Sequence, residues 1–289
     1  MNRLESVFNY EKQLGATYQY NGLGHRIGKI EGQSLEPVLP TTNISQLNLD
    51  PTKQIEDVTD ITRQYHNLLS REENQSTTSF TWDFEVLSAN TKDGTLHYLH
   101  DDLGSPIRLM NEYGNELEAL GYDDFGNDID YSNSSQQPTK KNQPFGFTGY
   151  QYDSIAENHF AQARQYDSRT GRFLSEDLLK GIVEAPFTFN PYVYCWNQPL
   201  DFIDLDGLDP VFIGYIYIVE AYNGNVYVGS TAQELKQRLG GSGHRWNNTI
   251  RNPQTKISFQ RVYAEINVGA SGQGTTRSAV IRYKKNGRN

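Results

Sequence analysis

Cysteine is almost absent from this sequence. Cys195 is the only one among 289 residues, so no disulfide within the chain supports the fold, and neither redox compartment is strongly implied. Methionine is nearly as scarce, at two residues. No apolar run approaches the roughly 20 residues a helix needs to span a bilayer, so a helical membrane span is not expected. The first ten residues carry Arg3 and Glu5, with Glu11 following, and lack the apolar core of a Sec signal. Hydrophobic residues make up only 36% of the chain, so any core must be lean. What is abundant is tyrosine, with 19 residues, and glycine, with 25. That mixture suits a polar β-sheet with many short turns, where tyrosine covers the pleated surface and keeps its hydroxyl wet. An aromatic content of 12% argues against a disordered chain.

Charge divides the chain in two. Residues 1–208 hold 15 Lys+Arg against 31 Asp+Glu, a net of −16. Residues 209–289 hold 11 Lys+Arg against the four acids Asp209, Glu220, Glu234 and Glu265, a net of +7, and the halves together give the chain's −9. The change falls at a seam, Asp204-Leu205-Asp206-Gly207-Leu208. An acidic body joined to a small basic tail is the asymmetry expected when one part alone meets nucleic acid. The length accommodates two domains, of about 200 and about 80 residues.

The acidic body is a degenerate repeat. Its phrase is an aromatic, a short polar gap, a glycine, then a basic or small residue and an apolar one. It occurs at Tyr20–Ile27, Tyr98–Ile107, Tyr122–Asn127 and Tyr166–Leu174. Each unit reads as strand, turn, strand, with Asp-x-x-Gly supplying the turn. Asn43–Ser79, rich in Asn, Gln, Ser and Thr, shows no clear repeat and reads as a loop or insertion. Repeats of this kind usually build extended sheets or solenoids. These units resemble the YD repeats of Rhs (rearrangement hotspot) proteins, a family that also includes the C components of insecticidal Tc toxins. The resemblance covers roughly residues 15–208 and is strongest from Tyr98 onward. It implies a sheet wound as a hollow shell around a C-terminal effector. A closed shell in that family takes several times more repeat than 208 residues provide, so a partial shell, a C-terminal piece of a larger protein, is expected.

The end of the repeat region resembles the self-cleavage module of that family, in which an Arg and two Asp act together and cleavage follows a Leu. Gly171-Arg172-Phe173-Leu174-Ser175-Glu176-Asp177 supplies the first aspartate, Asp177, and Arg164 lies 13 residues before it. Gln198-Pro199 through Asp204-Leu205-Asp206-Gly207-Leu208 supplies the second, Asp204, with Leu208 as the residue before the cut. Two neighbouring carboxylates cannot both ionise easily, so one keeps a proton as acid while the other activates water. A guanidinium would hold the ionised partner or polarise the scissile carbonyl. Two other readings of Asp204 and Asp206 stand beside this: a plain Asp-x-Asp-Gly turn, and a calcium loop, for which the Glu at the required spacing is missing. Leu178 and Leu205 stand where the family usually has proline.

In the tail, two Tyr-rich apolar strands flank Asn223-Gly224, a strong hairpin signal. Residues 232–239 carry helix formers and stop at Gly240-Gly241, Ile257–Ile266 reads as a strand, and Thr276 to about Lys285 reads as a final helix. This order resembles the GIY-YIG nuclease domain, with Ile216-Tyr217 standing for the first motif and Tyr227-Val228-Gly229 for the second. The resemblance implies catalytic roles for Tyr217, Tyr227, Arg238 and His244, with Arg238 on the scissile phosphate, and a divalent cation such as Mg²⁺. The family's metal-binding Glu on the last helix has no counterpart: Arg277–Tyr283 contains no carboxylate, and Ala279 sits about where that Glu falls. Ala279 in place of a native Glu is therefore an expectation too.

The expected fold is thus a mostly β YD-repeat sheet (a partial Rhs shell) over 1–208, ending in a self-cleavage module at about 160–208. A small α/β (α+β) GIY-YIG-like domain follows over 209–289. The function the resemblance implies is an interbacterial polymorphic toxin whose tail is a DNase. Its partners would be a DNA substrate, a cognate acidic immunity protein and secretion-system components, and it would be delivered to act in the target-cell cytoplasm. Two alternatives remain: a structural or adhesion YD-repeat protein with a nucleic-acid-binding tail, and an Rhs toxin whose tail acts on RNA.

Overall fold

A single turn, used again and again, explains why consecutive strands pair. In the computed structural model Asp101 Oδ1 accepts the N–H groups of Leu103 (2.9 Å) and Ser105 (2.8 Å), while the Gly104 N–H donates to the Asp101 carbonyl at 3.2 Å. Asn21, Asn111 and Asp123 accept the corresponding pairs of N–H groups in the same way. A side-chain oxygen that satisfies two backbone donors at once holds the reversal without help from distant contacts. The structure describes residues 3–39, 44, 47–62, 67–129, 143–181, 183, 186–208, 210–220, 226–231, 256–266 and 279–281.

Ten strands follow one another as an antiparallel meander in sequence order. They are β1 (Ser6–Asn9), β2 (Leu14–Tyr20), β3 (Arg26–Ser34), β4 (Leu49–Asp60), β5 (Asn67–Glu73), β6 (Ser76–Trp82), β7 (Val86–Thr91), β8 (Gly94–His100), β9 (Pro106–Asn111) and β10 (Glu116–Ala119). Strands β5 to β9 and the segments beyond β10 share a core of Leu68, Phe80, Val86, Ala89, Tyr98, Leu109, Leu120 and Phe145. Register shifts recur near the turns, between Gln19 and Tyr20, Val58 and Thr59, Thr81 and Trp82, and Leu99 and His100. Each inserts an unmatched residue that bends the strand and increases its twist.

Asn43–Ser79 is not a loop. The structure places β4, β5 and most of β6 there. Its polar composition hid the strands because Ile55 and Leu68 alone carry most of the inward apolar signal, both nearly fully buried. The other buried residue described there is charged: Asp57 takes a two-pronged ion pair from Arg71, with Nε–Oδ1 at 2.7 Å and Nη2–Oδ2 at 2.8 Å.

A four-stranded antiparallel sheet comes next: β11 (Gln151–Asp153), β12 (Asn158–Ala161), β13 (Arg164–Asp167) and β14 (Arg172–Phe173). Its core is aromatic, with Phe147, Tyr150, Tyr166, Phe173 and Tyr194 packed around Ala161 and Cys195. The Tyr166 and Tyr194 rings lie 4.4 Å apart, and most of their neighbours meet at tilted or edge-on angles, as ring quadrupoles favour. Buried polar contacts tie this sheet to the meander: the Tyr18 hydroxyl donates to Asp153 at 2.9 Å, and Arg26 and Arg71 both donate to Gln151 Oε1. Short 3-10 turns lie at Phe147–Gly149, Pro186–Phe189 and Cys195–Asn197.

The third sheet straddles the seam. It comprises β15 (Phe202–Ile203), β16 (Val211–Glu220), β17 (Val226–Thr231), β18 (Lys256–Ile266) and β19 (Ala279–Ile281). The expected hairpin and the later strand are present, with β16 lying between β17 and β18. The final helix is a correction. Ala279–Ile281 is a strand paired with β18, Ala279 opposite Ile266, and the β-branched Val280 and Ile281 favour an extended chain over a helix. The expected helix over 232–239 lies outside the described residues.

Among the turn glycines, two substitutions separate conformation from packing. Gly114 has φ of 81° and open space where a Cβ would go, whereas Gly126 has φ of 88° and would place that Cβ 2.4 Å from Phe147. Gly114→Ala is expected to cost about 1 kcal/mol from the left-handed backbone alone. Gly126→Ala is expected to cost about 2–4 kcal/mol, the clash with a core ring adding to the same strain. Urea denaturation of the two variants measures the difference, and equal losses would contradict this account.

Candidate functional site

The site begins with a cation that has nowhere to go. Arg164 opens β13, which is buried along its whole length, so its guanidinium must find every partner within the protein. Nη2 lies 3.0 Å from Asp177 Oδ2 and 3.3 Å from Asp204 Oδ2. Nη1 donates to the Pro191 carbonyl at 3.1 Å, and Nε donates to the Gly207 carbonyl. The Phe173 ring closes one face, with the guanidinium carbon 3.6 Å from its centroid. The three residues expected to act together, Arg164, Asp177 and Asp204, do meet, although they come from β13, the loop after β14 and the seam.

The seam itself is wound around Asp204. Its Oδ1 accepts the Gly207 N–H at 2.8 Å and the Leu208 N–H at 3.0 Å. Asp206 Oδ1 accepts the Leu208 N–H as well, at 3.0 Å, and the Asp206 carbonyl accepts the Ala163 N–H at 2.9 Å. Gly207 has φ of 76°, and a Cβ there would stand 2.3 Å from the Ala161 carbonyl oxygen. Only glycine lets the seam backbone lie this close to the turn between β12 and β13, where the Cβ would also stand 3.2 Å from the Arg164 nitrogen. Asp204-x-x-Gly207 is therefore a relative of the repeat's own Asx-x-x-Gly turn, drawn into the interior. Leu208 is partly buried, and Asp209 lies outside the described residues.

The Teneurin YD-shell family model matches residues 56–200, half of the chain. The chain belongs to this YD-shell family. Among curated proteins it is similar to the tRNA3(Ser)-specific nuclease WapA of Bacillus spizizenii, 31% identical over 137 residues, covering 47% of this chain and 6% of that protein. It is similar to the tRNA nuclease WapA of Bacillus subtilis, 30% identical over 110 residues, covering 38% of this chain and 5% of that one. The putative uncharacterized protein YlbH of Escherichia coli is 30% identical over 110 residues, covering 38% of this chain and 43% of YlbH. The chain thus spans about a twentieth of the length of the WapA proteins. Among solved structures, a TcdB2-TccC3 crystal structure has a TM-score of 0.47 at 16% identity, over 70% of this chain and 10% of that one.

Electrostatics divides the two carboxylates of this YD-shell chain. Burial pushes Asp204 up to about 7, with Asp206 adding repulsion, against the pull of Arg164 and of the two N–H groups it accepts. Asp177 is also raised by burial, against the Leu179 N–H and Arg164. Asp177 is the more accessible of the two, its side chain 16% exposed against 1% for Asp204.

Three contributors escaped the sequence reading. Tyr150 donates its hydroxyl to the Asp204 backbone carbonyl, the Pro191 carbonyl holds Nη1, and Phe173 supplies the ring under the cation. Phe173 sits within the Gly-Arg-aromatic-Leu phrase and was legible there; the other two gave no signal. In the tail, Tyr217 stands on β16 opposite Gly229 and Phe259, and Tyr227 stands on β17 opposite Val219. Arg238 and His244 lie outside the described residues. Among the described residues no group of three or more His, Cys, Asp or Glu side chains is placed to hold a metal, and no helix is long and apolar enough to cross a membrane.

The raised Asp204 value makes stability depend on pH. Between about pH 4 and 7 the folded chain keeps a proton that the unfolded chain has released, so stability falls as pH rises through that window. Asp204→Asn is expected to flatten this dependence, measured as the urea midpoint from pH 4 to 7. An unchanged slope would show that Asp204 ionises normally in the fold.

Proposed function

We propose that this chain is part of a polymorphic toxin: a YD-shell segment that cuts itself after Leu208 and carries a nuclease in its tail. The observation that supports the first half is the meeting of Asp177 and Asp204 on one nitrogen of Arg164, with the seam backbone hydrogen-bonded to Asp204. In this reading Asp177, nearer solvent, takes a proton from water as the oxygen attacks the Leu208 carbonyl carbon. Asp204, which holds its proton up to about neutrality, protonates the carbonyl oxygen. The tetrahedral diol then collapses: one hydroxyl returns its proton to Asp204 as the C=O bond re-forms, the C–N bond breaks, and the departing Asp209 nitrogen takes the proton held by Asp177. Arg164 is the cation that keeps two acids together without letting both repel the seam.

Arg164→Ala, Asp177→Asn and Asp204→Asn are each expected to slow self-cleavage by about 10²–10⁴-fold. The parent should give two species on a denaturing gel, with masses dividing after Leu208. Its rate should fall above about pH 7, as Asp204 loses its proton, and fall again in acid as Asp177 gains one. A parent chain that stays whole across this range would defeat the reading.

The tail is proposed to be a GIY-YIG-type nuclease acting on DNA. Support comes from its charge of +7, from the central position of β16 between its hairpin partner and β18, and from the nuclease names of the WapA relatives. Those names specify tRNA, which favours a second reading in which the substrate is RNA. Among the described residues no group of three or more His, Cys, Asp or Glu is placed to hold Mg²⁺. An acidic immunity protein would complement the basic tail, and delivery into a target cell would bring it to its substrate. Plasmid DNA and bulk tRNA, incubated in parallel with the chain and with Arg238→Ala, with and without Mg²⁺, decide between the readings. Loss of either polymer that depends on Arg238 supports a nuclease of that substrate, whereas both intact in every condition would count against an active nuclease in this chain.

A further inference from the structure

Strand β15 belongs to the carrier by sequence and to the tail by hydrogen bonding. Phe202 pairs with Phe212 and Ile203 with Val211, so the seam is the loop of a hairpin whose two arms come from the two halves of the chain. β15 takes the part of the β16 edge that β17 leaves open, since β17 pairs only from Tyr215 to Glu220. The pairing is reinforced by packing. Ile203 and Val211 are 0% and 2% exposed and form one apolar cluster with Leu103 and Leu205. Leu103 lies in the Asp101–Ser105 turn of the ten-stranded sheet, so Val211 of the tail is plugged against the carrier's main body.

We propose that β15 is a retaining clip for the tail: once the seam is cut, the tail's new N-terminal segment stays bound as an added strand, with Val211 as its apolar anchor. The trigger for this rests on the self-cleavage reading; the clip itself rests on the ladder and the plug. The partner it recognises is a short apolar β-strand, held by main-chain hydrogen bonds and one buried side chain, the mode known as strand addition. A cut after Leu208 opens only the loop, leaving both arms of the hairpin intact. Cutting and release are then separate steps, the second being the peeling of β16 from β15. Opposite net charges of −16 and +7 would also favour association, but that attraction is screened by salt and the clip is not.

The test uses the full chain with an N-terminal affinity tag and a recognition sequence for a specific protease inserted between Leu208 and Asp209, so cutting is assured however the seam behaves. A denaturing gel reports the cut, and gel filtration at about 1 M NaCl, where screening acts within about 3 Å, reports retention. The expected result is two bands that co-elute as one species. Val211→Ala removes two buried carbon atoms from the anchor and should raise the dissociation rate on the order of tenfold. Leu103→Ala loosens the same plug from the carrier's side and leaves the tail's own sheet untouched, which guards against a tail that simply misfolds. Fragments that separate at once from the otherwise unaltered chain would overturn the clip, as would retention that neither substitution weakens. Failure of self-cleavage reads out differently, as one band from the chain without the inserted sequence.

Discussion

Everything near the seam depends on one buried guanidinium. Its side chain is only 4% exposed, so its donors must be met by protein oxygens. Those oxygens come from three separate stretches of sequence: Asp177, Pro191, and the seam, which supplies both Asp204 and Gly207. Leaving any of them unmade would strand a charge in the interior, which costs more than most packing defects. The need to satisfy Arg164 is what draws the loop after β14 and the seam onto the same point, and the Phe173 ring beneath it completes the enclosure.

The same turn serves opposite ends in two parts of the chain. Asp123 and Asp204 both begin an Asp-x-x-Gly turn and both accept two backbone N–H groups through one oxygen. At Asp123 burial is the largest single effect and acts upward, but the hydrogen bonds from Asn127 and the turn backbone together outweigh it and its pKa falls below the ordinary value. At Asp204 burial is complete and wins, despite the added pull of Arg164. A structural carboxylate becomes a proton-holding one through its surroundings, with no change in the local motif. This accounts for the turn reading and the catalytic reading of Asp204 both having merit from sequence: the residue forms the turn and stands in the site.

The division of charge at residue 208 does not coincide with the division of structure. The third sheet begins with β15, on the acidic side, and continues into the basic tail, so the two halves share a ladder and a small apolar cluster. Under the self-cleavage proposed above, this sharing would separate two requirements, a peptide bond that can be broken and an interface that need not break with it.

Much of this was legible in the chain as written. Asp-x-x-Gly turns at regular spacing specify local reversals because a side-chain oxygen satisfies its own backbone, and such contacts need no partner from elsewhere. The hairpin around Asn223-Gly224 was readable for the same reason. Arg164, Asp177 and Asp204 were found through the phrases that carry them. What escaped was whatever depended on distance: the strands within Asn43–Ser79, whose buried residues among those described are Ile55, Leu68 and the ion-paired Asp57; the strand at Ala279–Ile281, whose extended form comes with pairing to β18; and the roles of Tyr150 and Pro191. The sequence by itself determined the turns, the strand count near them and the residues able to do acid–base chemistry. The tertiary structure alone decided that Asp204 is buried, that two acids share one cation and that β15 pairs across the seam. Desolvation and long-range pairing are properties of surroundings, and surroundings exist only once the chain has folded.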